Sequence, residues 1–104
     1  MANHMVKISI YINEADEWHH RPLHTEILRM LREHGLAGGT VLRGVAGFTK
    51  KGVQSAGLVD AGGKLPLLIE FIDTTEDVER ILPKIREMAG HRLVTSEKVT
   101  VLND

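Results

Sequence analysis

With 104 residues, 13 basic and 14 acidic side chains and a net charge of −1, the chain suits one domain and lacks the one-signed field that gathers nucleic acid or acidic membrane. It has no cysteine, which excludes a disulfide framework, a thiolate nucleophile and a cysteine metal site, and its one Trp, one Tyr and two Phe offer no stacking platform for single-stranded nucleic acid. No apolar run approaches the roughly 18 residues that would span a bilayer, and no basic-then-apolar leader is present, so a cytoplasmic protein without direct membrane insertion is expected.

Residues 1–5 read as a disordered N-terminus or a cloning remnant, His4-Met5 being a common junction, and the domain is expected to cover 6–104. From Val6 to Ile12, apolar Val6, Ile8, Ile10 and Ile12 alternate with Lys7, Ser9 and Tyr11, the period of a strand with one buried face. Asn13 to Arg21 is polar and reads as a loop. Pro22 suits the first turn of a helix, and Leu23, Ile27, Met30 and Leu31 then fall on one helical face until Gly35 supplies a stop.

Thr40 to Phe48 predicts a second strand, weakened by Gly44 and Gly47, which suggest a bulge or a close approach by another backbone or a ligand. Residues 49–64 carry Lys50, Lys51, Gln54 and several glycines. A connection of about 15 residues without structure of its own is uncommon in a compact domain and is usually functional or disordered. Leu65 to Asp73 is a strand apolar on both faces, with Leu67, Ile69 and Phe71 on one and Leu68 and Ile72 around Glu70 on the other. Asp73, Thr74 or Thr75 can cap a helix carrying Val78, Ile81, Leu82, Ile85, Met88 and Ala89. Within it Pro83 removes the hydrogen bond to the Glu79 carbonyl and predicts a kink or break near Glu79 and Arg80. Gly90 ends the helix, and Glu97 to Leu102 returns as a strand.

The order βαββαβ predicts an α+β, ferredoxin-like fold, a four-stranded antiparallel sheet with two helices on one face. Tyr11, Leu68 and Ile72 would then lie on the bare face, where oligomerisation is expected to cover them.

Three groups carry candidate chemistry. His19, His20 and His24 lie close in sequence, and His20 with His24 has an i, i+4 spacing that would suit one metal ion on a helix. However, His20 precedes Pro22, which places it outside the helix, so a solvated loop and helix start is the plainer reading. Glu14, Asp16 and Glu17 offer carboxylates for acid–base work or a cation, but without a nucleophile or partner base at a diagnostic spacing they read as a solvated loop, and no enzyme is predicted. Gly38, Gly39, Gly44 and Gly47 match no nucleotide fingerprint. Glycine-rich turns can nevertheless cradle phosphate, and Arg43, Lys50, Lys51, Arg92 and Lys98 supply positive charge in neighbouring segments.

Asn13-Glu14-x-Asp16 with Pro22-Leu23, the stretch Gly35-Leu-Ala-Gly-Gly-Thr-Val-Leu-Arg-Gly-Val-Ala-Gly-Phe48, and Leu65-Pro-Leu-Leu-Ile-Glu-Phe-Ile-Asp73 together resemble the domain of unknown function 190 family across nearly the whole chain. That family is in turn similar to the PII signal-transduction proteins. Those are ferredoxin-like trimers that bind adenine nucleotides between subunits and contact partner proteins through a long loop between the second and third strands. The resemblance implies a homotrimer that senses a small ligand, an adenine nucleotide, with no cofactor required. The implied cleft holds Arg43, Gly47, Phe48, Thr49, Arg92 and Lys98. The 49–64 loop, with Lys50, Lys51 and Gln54, would reach a protein partner, soluble or a membrane transporter. A second resemblance, to the divalent-cation tolerance proteins, implies instead a metal-binding ferredoxin-like trimer using His19, His20 and His24.

Overall fold

The computed structural model describes residues 3–48 and 64–103. Along the chain lie β1 (Asn3–Asn13), β2 (Glu17–Trp18), β3 (Arg21–Pro22), α1 (Leu23–Glu33), β4 (Thr40–Arg43), β5 (Pro66–Asp73), α2 (Thr75–Ala89) and β6 (Val94–Val101). Four strands form one antiparallel sheet in the order β4-β5-β1-β6, which with the two helices is the ferredoxin-like arrangement expected. Among the described residues, no helix is long and apolar enough to cross a membrane.

Alternation along the central strands decides which face is buried. Ile8, Ile10 and Ile12 of β1 and Leu67, Ile69 and Phe71 of β5 enter the core. There they meet Leu23, Ile27, Met30 and Leu31 of α1, the four positions that the helical spacing singled out, and Val78, Ile81, Ile85 and Met88 of α2. Burying one such aliphatic side chain contributes about 1.5–3 kcal/mol, so this face dominates stability.

Helix ends follow local chemistry. Gly35 takes φ 79° just beyond α1, and Gly90 takes φ 62° after α2. Thr74 caps α2, its hydroxyl accepting from the Asp77 N–H at 3.1 Å. The break expected at Pro83 does not occur, since α2 runs unbroken from Thr75 to Ala89. One lost backbone bond is outweighed because Ile81, Ile85 and Met88, on both sides of the proline, bury one continuous stripe.

Four boundaries differ from the sequence reading. β1 begins at Asn3, so residues 3–5 are strand and not a disordered tail; Asn3, His4 and Met5 pair with Val101, Thr100 and Val99. β6 begins earlier than Glu97, because Ile10 of β1 still offers a partner to Val94. Within the polar segment after β1, Glu17–Trp18 and Arg21–Pro22 pair as a small hairpin. His19 and His20, at its tip, have φ 51° and 68°, the left-handed pair that a tight two-residue hairpin turn requires. Finally, β4 ends at Arg43 rather than Phe48.

Candidate functional site

The short four-residue turn after β1, Asn13 to Asp16, is where the chemistry converges. It is built by its own polar groups. The Asp16 N–H donates to the Asn13 carbonyl at 3.0 Å, the Ala15 N–H to Asn13 Oδ1 at 2.8 Å and the Asn13 N–H to Asp16 Oδ2 at 2.8 Å. Such side-chain bonds to nearby backbone are why Asn and Asp favour turns.

Two arginines reach this turn from distant segments. Arg43, at the end of β4, donates through Nη2 to Glu14 Oε1 at 3.0 Å. Arg92, between α2 and β6, donates through Nε to Asp16 Oδ2 at 2.8 Å and through Nη1 to the Ala89 carbonyl at 3.1 Å. Glu14 Oε1 also accepts the Leu65 N–H at 2.8 Å, while the Glu14 N–H donates to the Leu65 carbonyl at 3.0 Å. One carboxylate therefore ties together the last residue of β4 and the residue before β5, the two ends of the long connection. The Leu65 N–H and then the Arg43 guanidinium hold the Glu14 carboxyl below the usual carboxylate range, with Lys64 adding a favourable charge.

The glycines that weakened the second predicted strand have a local purpose. The Gly44 N–H donates to the Pro66 carbonyl at 2.8 Å, and a Cβ on Gly44 would lie 2.9 Å from Pro66 Cγ. A Cβ on Gly47 would lie 3.2 Å from the same atom. Their space is filled by the chain's own proline, and β4 stops at Arg43, paired with Leu67 next to the start of β5 at Pro66.

The predicted cleft residues fare unevenly. Arg43 and Arg92 come together on the Asn13–Asp16 turn, and Gly47 lies against Pro66 nearby. Phe48 is 67% exposed. Lys98 pairs in register with Val6, four residues along β6 from Val94 and thus roughly 13 Å further down the sheet. It is apart from the two arginines within this chain. Thr49, Lys50, Lys51 and Gln54 lie outside the described residues. Glu14 and Asp16, read from sequence as a solvated loop, are the acceptors that organise the site. Their partners lie 29 and 76 positions away, so no local spacing signalled them.

The histidines are divided between two elements. His19 and His20 occupy the hairpin tip, where the His19 ring stacks on Trp18 at 4.3 Å, whereas His24 lies in the first turn of α1. The helical i, i+4 geometry is therefore absent. Among the described residues, no group of three or more His, Asp or Glu side chains is arranged to hold a metal ion.

The sheet face away from the helices is the second candidate surface. Tyr11, Leu68 and Leu42 form one cross-strand row. Tyr11, Leu42 and Ile72 are 42%, 48% and 41% exposed. Beside them Lys7 Nζ lies 3.5 Å from Glu70 and 3.3 Å from Glu97, which raises the Lys7 pKa, chiefly through the hydrogen bond to Glu97.

Residues 5–101 match the profile of the DUF190 family, described as Uncharacterized ACR. The chain belongs to this family. Relatives of the DUF190 chain include a UPF0166 protein of Methanocaldococcus jannaschii, 31% identical over 81 residues, 78% of this chain and 75% of the relative. Another is a UPF0166 protein of Aquifex aeolicus, 31% identical over 96 residues, 91% of this chain and 90% of the relative.

Proposed function

We propose that this DUF190 chain is a PII-like regulatory protein without catalytic activity. In this reading it is a cytoplasmic homotrimer that senses a small anionic ligand, an adenine nucleotide, between subunits and signals to a protein partner through the 49–64 connection. The observation that carries the reading is the convergence on one turn of Arg43, Arg92 and both ends of that connection. A ligand that engaged the arginines would act where the connection is rooted. It would shift the connection between conformations only as far as its affinities for them differ. The mixed bare sheet face around Tyr11, Leu42 and Ile72 supports assembly with further copies.

The test is calorimetric titration of the purified chain with ATP, ADP, AMP and cyclic nucleotides, alongside sedimentation for its mass. Saturable heat with at least one nucleotide and a trimeric mass are the expected results. Absence of heat at millimolar ligand removes the nucleotide, and a monomeric mass removes the inter-subunit cleft.

A further inference from the structure

We propose that Glu14 is a built-in competitor for an oxyanion at the Arg43–Arg92 pair, and that displacing it frees the Leu65 amide. The inference rests on the small-anion reading above and adds the means by which occupancy of the site would reach the chain entering β5.

The charges around the turn are unequal. Arg43 and Arg92 contact its two carboxylates directly, and the charge of Lys64 also favours the ionised Glu14. The two acids are held differently. Asp16 and Arg92 are both about three-quarters covered, at 23% and 25% side-chain exposure, and Asp16 also accepts the Asn13 N–H that closes the turn. Asp16 is thus part of the scaffold.

Glu14 is nearly as covered as Asp16, at 25% exposure, but it faces an arginine whose side chain is 56% exposed, and its Oε1 accepts from that arginine's Nη2 at 3.0 Å. Solvent reaching the arginine weakens a pair of this kind. A di- or triphosphate offers a guanidinium parallel acceptor oxygens and more charge, so it matches the planar fork better than one carboxylate oxygen does. Arg92 commits Nε and Nη1, leaving Nη2 without a hydrogen-bond partner among the described residues. The oxyanion would therefore replace Glu14 and leave Asp16 in place.

The consequence follows from the oxygen involved. Glu14 Oε1 accepts from Arg43 and from the Leu65 N–H at once. An anion on Arg43 would remove the counter-charge and repel the carboxylate, and the Leu65 N–H would lose its acceptor with it.

Two-dimensional NMR of the whole chain, wild type and Glu14→Gln, titrated with pyrophosphate and with ATP, tests this. The expected result is that both anions shift the Arg43 and Arg92 Nε signals and speed hydrogen exchange at the Leu65 amide of the wild type. Pyrophosphate should also bind Glu14→Gln about threefold tighter, the scale set by removing one exposed ion pair. Equal affinity for both proteins with an unmoved Leu65 amide overturns the competition while leaving a ligand site. Shifts with pyrophosphate but not ATP support the competition and remove the nucleotide. No shifts with either anion at millimolar concentration overturn both.

Discussion

The two faces of the sheet are made by the same strands, yet they follow different rules. On the helix side, Ile8, Ile10, Ile12, Leu67, Ile69 and Phe71 are all buried aliphatic or aromatic side chains. On the other side the neighbouring positions are Lys7, Ser9 and Tyr11, then Leu68, Glu70 and Ile72. The first face is finished within one chain, since two helices exclude water from it. The second carries apolar groups that water still reaches beside the ion cluster of Lys7, Glu70 and Glu97. A strand's period of two allows this division, one face closed by the helices and the other left open.

The sharpest contrast comes from positions on opposite faces. Ile69→Ala, on the finished face, should cost about 2–5 kcal/mol in chemical denaturation, the usual range for a large-to-small core change. A loss under 1 kcal/mol would mean that this face is not the main source of stability.

At the end of the sheet where the faces meet the long connection, Gly44→Ala should cost about 1–3 kcal/mol, because its Cβ would press on Pro66 Cγ. Adding Pro66→Ala should recover most of that loss. Without recovery, the glycine answers to something other than its own chain's proline.

Leu42→Asp, on the open face, should cost the isolated chain under about 0.5 kcal/mol, the scale of a surface change. In the trimer proposed above, its expected effect is a fall in sedimenting mass to that of the monomer. An unchanged mass would show that this face does not hold the copies together.

The smallest effect belongs to Lys7. Its folded pKa is raised above 10.5, so its pairing with Glu97 and Glu70 stabilises the fold fully below pH 10.5 and is lost as pH rises through the folded value. Stability of wild type relative to Lys7→Met should therefore converge at strongly alkaline pH and separate only slightly near neutrality, because Glu97 is exposed and Lys7 is only partly covered. A large difference near neutrality would indicate that the ion cluster lies in a drier place, as under a neighbouring copy.

The sequence by itself determined the helices, the two central strands and their buried sides. Period and capping are local properties, and Leu23, Ile27, Met30 and Leu31, a cap among Asp73, Thr74 and Thr75, and the Gly35 and Gly90 stops could be read where they stand. The family was legible as well, in the residues from Gly35 to Phe48 and around them. Only the tertiary structure decided what the polar turn and the glycines are for. Glu14 and Asp16 look solvated until Arg43, Leu65 and Arg92 arrive from far along the chain. Gly44 and Gly47 look like gaps in a strand until Pro66 fills them. Likewise, His19 and His20 read as loop until the pairing of Trp18 with Arg21 places them at a left-handed tip. The physical reason is common to all three: a charge, a space or a strained turn has its partner in three dimensions, and nothing in the local spacing of residues records which distant group will meet it.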